Sequence, residues 1–214
     1  QSGLGRTGRW FAFEHENIRP DGLILGKALG GGVYPISALV GTRELMGVFD
    51  PGSHGSTFGG NALAARIGLE ALTVIEDEHL VERSAELGAY LLSRLAELRS
   101  NIVVDVRGRG LWVGVEVDPN IASARSLCEA LAREGVLTKD THETVLRFAP
   151  PLTITREELD WGLERVERVR VERAGGRPGA GPAPAAPGGP APAADDRRLW
   201  LAFAVHDTGI GIDP

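Results

Sequence analysis

Lysine and cysteine are almost missing from this 214-residue chain, which has two of the former, Lys27 and Lys139, and one of the latter, Cys128. A single cysteine excludes an internal disulfide framework and is compatible with a reducing compartment. Ala124, Leu127 and Leu131 stand at helical spacing around Cys128, the pattern of a buried apolar residue rather than of a reactive thiol. No segment approaches the ~20 apolar residues of a membrane span, and the first residues lack the basic-then-apolar order of a secretion signal. The formal net charge of −6 argues against a nucleic-acid-binding surface. What remains is an ordinary globular protein, expected in the cytoplasm, with no membrane, nucleic-acid or metal partner. With 43% hydrophobic and 24% charged residues, the chain can hold one or two modest domains.

The pattern along the chain is mixed α/β. Residues 22–25 read as a short buried strand and Ile36 to Val40 as another, as in the central sheet of a large α/β domain. Asn61 can cap the helix that follows, whose small residues Ala62, Ala64, Ala65 and Gly68 permit close packing. Leu87, Leu91, Leu95 and Leu98 form the apolar stripe of a second helix. The period then changes: Ile102, Val104 and Val106 alternate, Arg107-Gly108-Arg109-Gly110 turns, and Leu111, Val113, Val115 and Val117 alternate again, which predicts a hairpin. A helix over about Ser123 to Arg133, a strand through Val145 to Phe148 and a last helix complete the pattern. That last helix opens with a capping-box pair, Thr155 and Glu158, and carries Leu159, Leu163 and Val166 on one face.

Lys27 ends the apolar run Leu23–Leu25 and is followed by Gly30, Gly31 and Gly32. An isolated Gly-Lys pair more often marks a strand-end lysine whose head reaches water. A lysine held at such a position is otherwise costly to desolvate, and a covalent imine to an aldehyde cofactor removes that cost. Glycines beside it give the backbone freedom to pass close to a bulky group. Ser56 and Thr57 stand just before a helix start, where hydroxyls and free N–H groups can bind an oxyanion. Asn61 already supplies the cap, which leaves that pair available for an oxyanion. Arg147 lies on an alternating strand with Val145 on its face, either an ordinary exposed arginine or a planar donor for a carboxylate.

Three further segments accompany Lys27: Gln1-Ser2-Gly3-Leu4-Gly5-Arg6-Thr7-Gly8, then His54-Gly55-Ser56-Thr57-Phe58-Gly59-Gly60-Asn61, then Thr141-His142-Glu143-Thr144-Val145-Leu146-Arg147-Phe148-Ala149-Pro150-Pro151-Leu152. In this order they resemble the class III, pyridoxal-phosphate-dependent aminotransferases over roughly residues 1 to 172. Within that class Thr141-His142-Glu143 looks more like the ornithine than the acetylornithine aminotransferases. The resemblance implies part of a fold-type-I transferase, comprising the C-terminal part of its large domain and an α/β small domain. It implies pyridoxal 5'-phosphate as cofactor, with Lys27 holding the aldehyde and serving as the catalytic base. Thr57, with Ser56, would serve the cofactor phosphate of the neighbouring subunit in a homodimer, Gln1 would bond the phenolic oxygen, and Arg147 would pair with a substrate carboxylate. The implied reaction moves the δ-amino group of ornithine to 2-oxoglutarate. Acetylornithine or another ω-amino acid is the alternative donor.

The resemblance divides the chain into residues 1–77, in the cofactor-binding large domain, and 78–172, a connecting helix and small domain. In the family the glutamine matching Gln1 follows an Asp-Glu pair, and a phosphate-cradling loop, a ring stacked on the cofactor and an aspartate for the pyridine nitrogen come earlier still. A natural start is therefore not expected at Gln1, and the 214 residues are expected to be a truncated, inactive part of such an enzyme. Between Ala174 and Asp196, 20 of 23 residues are Ala, Gly or Pro, a composition that cannot bury enough apolar surface to order itself. Residues 173–197 are accordingly expected to be a disordered linker. Residues 198–214 read as a short strand and turn whose Asp207-Thr208-Gly209-Ile210-Gly211 resembles an element of sensor-histidine-kinase ATPase domains. A non-catalytic remnant or a nucleotide-binding fusion fragment is thus the rival to an enzyme.

Overall fold

A computed structural model of the chain describes residues 2–98 and 101–175. Gln1, most of the expected linker and the Asp207–Gly211 element lie outside the described residues. The chain divides into two compact units, Gln1–Leu91 with Gly108–Trp112, and Leu92–Arg107 with the residues from Val113 onward.

In the first unit β1 (Gly22–Leu25) pairs antiparallel with β2 (Ala38–Gly41), Leu23 opposite Val40 and Ile24 opposite Leu39. A 3-10 turn, Lys27–Gly30, follows β1 and ends on Gly31 at φ 59° and Gly32 at φ 75°, the left-handed conformation that glycine adopts without penalty. The expected burial of these strands is not found. Ile24 is 82% exposed, because among the described residues no second layer covers that face of the two-stranded ribbon.

After a short α1 (Arg43–Met46), capped by the Thr42 hydroxyl, comes α2 (Ala62–Asp77). Its cap is Asn61, whose Oδ1 accepts the Ala64 N–H at 2.8 Å. α2 packs on the Lys27–Gly30 turn through Gly68, where a Cβ would stand 3.3 Å from Ile36 Cδ1 and 3.7 Å from Leu29 O. Ala64 and Gly68 are buried in that contact, whereas Ala62 and Ala65 face solvent, so half of the expected small-residue face is used.

The helix α3 (Leu80–Glu97) buries Leu87, Leu91 and Leu95 as their spacing predicts, and it ends before Leu98. Near its start lies a three-way junction. Ser84, fully buried, donates its hydroxyl to Arg6 O at 3.1 Å and accepts the Leu111 N–H at 3.2 Å, while Arg6 Nη1 donates to Leu111 O at 3.0 Å. One turn later Gly88 meets the backbone of Gly110, and Gly110, at φ 56°, lies against the backbone of Arg6, Thr7 and Gly8. A Cβ on either glycine would overlap its neighbour. Burial pushes the Arg6 pKa down to about 10, which leaves the guanidinium charged at neutral pH.

The second unit is an antiparallel sheet with helices on its buried face. β3 (Val103–Gly108), β4 (Val113–Val117), β5 (Lys139–Thr141) and β6 (Val145–Phe148) lie in the order β3-β4-β6-β5. Val113, Val115 and Val117 are buried alternately as expected, together with Leu111 before them. The expected partner alternation fails on β3, where Val104 is exposed, because β3 is an edge strand. α4 (Ala124–Arg133) is capped by Ser123 Oγ and buries Ala124, Leu127, Cys128 and Leu131. Desolvation pushes the Cys128 thiol up to about 11. α5 (Arg156–Gly175) begins with the reciprocal pair predicted from sequence, Thr155 N to Glu158 Oε2 at 2.8 Å and Glu158 N to Thr155 Oγ1 at 3.2 Å. Its buried stripe is Leu159, Leu163 and Val169 rather than Val166, and the helix runs into the first residues of the composition-biased stretch. Among the described residues no helix is long and apolar enough to cross a membrane.

Two stability tests follow from the backbone. Gly88→Ala forces a methyl into the Gly110 backbone and is expected to cost about 1–3 kcal/mol, read as a lowered urea midpoint at constant slope; an unchanged midpoint would show that the two segments do not approach so closely. Lys27 has φ 52°, a conformation costing an L-residue about 1–2 kcal/mol. Lys27→Gly should therefore be more stable than Lys27→Ala by about 1 kcal/mol, and equal midpoints would contradict the left-handed backbone.

Candidate active site

Lys27 is the first residue of the 3-10 turn after β1. The extended Gly26, with φ −173° and ψ −163°, leads into it. Its own left-handed backbone turns the chain sharply away from the strand. The side chain is exposed, so the desolvation cost expected from its sequence setting is not incurred among the described residues. Its distinguishing property is the strained backbone, which persists only where the surroundings over-determine it. Those surroundings are the Gly68 face of α2 on one side and the Leu29 side chain, buried beneath the turn. Beyond it Gly32 has open space in its Cβ direction, so a bulky group can lie beside the turn without displacing a side chain.

The other end of α2 carries the second part of the site. Ser56 Oγ accepts the Gly59 N–H at 3.0 Å and so closes a bend around Thr57 and Phe58. Asn61 Nδ2 donates to Phe58 O at 2.8 Å, which fastens the bend to the helix it caps. Gly59 is required there, since a Cβ would stand 2.9 Å from Ser56 Cβ. Thr57 is exposed, makes no side-chain hydrogen bond among the described residues, and is followed by Phe58, 80% exposed. A hydroxyl and a hydrophobic ring thus project just ahead of a 16-residue helix, whose first N–H groups and dipole favour an anion. One helix therefore braces the Lys27 turn with its flank and carries the Ser56–Thr57 bend at its N-terminus. His54 contacts Phe49 edge-on, ring centroids 5.7 Å apart, and belongs to a shallow hollow of about 320 Å³ with Leu39, Met46 and Asp50.

Arg147 belongs to the second unit. It sits on β6 between Gly114 of β4 and Lys139 of β5, half-buried, and its carbonyl accepts the Thr138 hydroxyl at 2.7 Å. Val145 shares its face, as the alternation predicts, while Leu146 points into the core. The Thr141–Glu143 segment forms the β5 to β6 turn, with His142 at φ 51° and Glu143 at φ 64° and Thr144 N donating to His142 O at 2.7 Å. Sequence reasoning missed β5, and with it Lys139 opposite Arg147; three residues are too few for a periodic signal. It also missed Arg6 and Ser84, whose contacts join segments 78 and 105 residues apart and leave no local trace.

Comparison with known proteins places most of the chain in one family. The curated ornithine aminotransferase of Halalkalibacterium halodurans is 58% identical over 169 residues, 79% of this chain and 42% of the relative. That of Bacillus subtilis is 55% identical over the same share of this chain. The chain thus spans less than half the length of the curated relatives it matches. Among solved structures, an ornithine aminotransferase from Plasmodium yoelii superposes with a TM-score of 0.77 at 43% identity, covering 81% of this chain and 46% of that one. An acetylornithine aminotransferase from Elizabethkingia anophelis superposes with 0.76, also at 43%, over 80% and 44%. The class-III aminotransferase family pattern matches residues 1–169. A glycine-flanked lysine on a strained turn, a helix-mounted Ser-Thr bend and an arginine on the small sheet therefore stand in a chain that belongs to the class-III aminotransferases, a pyridoxal-phosphate-dependent family.

Proposed function

We propose that this chain carries the catalytic lysine and the substrate-carboxylate arginine of an ornithine aminotransferase. The reaction moves the δ-amino group of ornithine to 2-oxoglutarate, giving glutamate semialdehyde and glutamate. The observation that carries this reading is the left-handed Lys27 turn, exposed and open on its glycine side, in a chain 55–58% identical to ornithine aminotransferases. Acetylornithine remains the alternative donor, since a solved acetylornithine aminotransferase matches at the same identity as an ornithine one. The curated relatives favour ornithine.

Pyridoxal phosphate supplies an aldehyde that takes up amino groups and a ring that accepts the electron pair released at carbon. The chain's own residues do the rest. Lys27 Nζ would be the amine that holds the cofactor's aldehyde, and once free would take and return a proton as general base. Thr57 Oγ1 and the first N–H groups of α2 would hold the phosphate of the cofactor bound to a second copy of the chain in a homodimer. Ser56 keeps the bend closed and would add a hydroxyl, Gln1 would bond the phenolic oxygen, and the planar fork of Arg147 would take a substrate carboxylate. In this reading residues 1–77 belong to the cofactor-binding domain, residues 78–172 to the connecting helix and small domain, and the complete protein works in the cytoplasm. The ATPase-like reading of Asp207–Gly211 rests on sequence alone, since the family match ends at residue 169.

Two experiments test this. In the chain joined to the segment its relatives carry before Gln1, incubation with pyridoxal phosphate followed by borohydride should fix the cofactor on the peptide containing Lys27; label on the Lys139 peptide alone would refute the assignment. Thr57→Ala, in the chain joined to the segment its relatives carry before Gln1, should weaken cofactor binding by roughly 1.5–3 kcal/mol, the worth of a charge-assisted hydrogen bond. An unaltered dissociation constant would reduce Thr57 to a loop residue.

A further inference from the structure

Among the described residues of the second unit, Lys139 and Arg147 form a pair of cations without an acidic partner. Lys139 and Arg147 are register partners on neighbouring antiparallel strands, so their side chains leave the same face of the sheet side by side. On its other flank Arg147 has Gly114, which places no side chain beside the guanidinium. Like charges directly opposite each other destabilise a sheet, and the nearby acids are engaged elsewhere. Glu116 and Asp105 bind Arg107 at 2.6 and 2.8 Å. Asp140, next along β5, points to the opposite face, where it pairs with Arg125 at 3.5 Å. Glu143 lies in the turn at the far end of the two strands. Among the described residues neither Lys139 nor Arg147 makes an ion pair. An anion seated between two such charges would offset their repulsion.

We propose that Lys139 is a second ligand for the substrate carboxylate, forming with Arg147 a two-cation seat. This deepens the aminotransferase reading and rests on it. The two side chains divide the work by shape. The guanidinium fork meets both oxygens of a carboxylate in its plane, whereas the ammonium, a compact charge on a flexible stem, reaches a remaining lone pair from the side. Lys139 is exposed and on an edge strand, so it can adjust to the anion without disturbing the core.

Because the chain has two lysines, the seat can be read by amine chemistry. Glutarate serves as the probe, with sodium chloride at equal ionic strength as control. Acetylation of Lys139 by an activated ester, followed peptide by peptide in a mass spectrometer, should slow with glutarate occupancy. By calorimetry, Lys139→Gln should raise the glutarate dissociation constant roughly three- to tenfold, and Arg147→Gln should raise it further. If Lys139→Gln leaves the constant unchanged and glutarate fails to protect Lys139, while Arg147→Gln still weakens binding, the role of Lys139 falls and that of Arg147 stands. If Arg147→Gln has no effect either, the carboxylate reading of Arg147 falls with it.

Discussion

A contact between two glycines organises the first unit. Gly88 of α3 and Gly110 touch backbone to backbone, and Gly110 in turn lies on the backbone of Arg6, Thr7 and Gly8. No side chain intervenes, so the approach is as close as a polypeptide permits, and neither position accepts even a methyl group. The contact explains why Gly108–Trp112 groups with the first unit although the residues on both sides group with the second. Ser84 and the Arg6 guanidinium then satisfy the polar groups that this approach buries. A buried donor or acceptor left unpaired costs about 1–3 kcal/mol, so the hydrogen bonds and the glycine contact depend on each other.

The same economy of side chains governs the Lys27 turn. α2 comes close enough to brace it because position 68 is a glycine, and the turn reverses because Lys27 itself takes a conformation that glycine normally supplies. Strain of this kind gathers at functional sites, where precise placement of a reacting group outweighs local stability. The helix that holds the strained turn also carries Thr57 at its beginning. Small residues, not large ones, thus set the relation between the lysine turn and the hydroxyl bend.

Legibility from sequence followed the range of the physics. Local signals are legible: the Asn61 cap, the Thr155–Glu158 pair, the leucine stripe of α3 and the alternation of β4 all depend on residues within one or two turns of each other. Lys27 stands out in the sequence by the glycines beside it, and its company of motifs points to the family. The burial of Ile24 was expected and not found, because burial depends on a covering layer that hydrophobicity alone does not reveal. The Gly88–Gly110 contact was invisible for a related reason. Glycine announces conformational freedom, but nothing local says which distant backbone will use it. Lys139 escaped because its strand is too short to show a period, and its meaning comes only from what lies opposite.

The buried Cys128 has a practical consequence. Its thiol sits on the buried face of α4 in the core of the second unit, and desolvation pushes it up to about 11. Thiol reagents need both access and the thiolate, and the folded unit grants neither. Modification therefore proceeds through opened states, and its rate measures how often α4 leaves the sheet. With no second cysteine in the chain, that rate isolates the breathing of one unit from every other motion of the molecule.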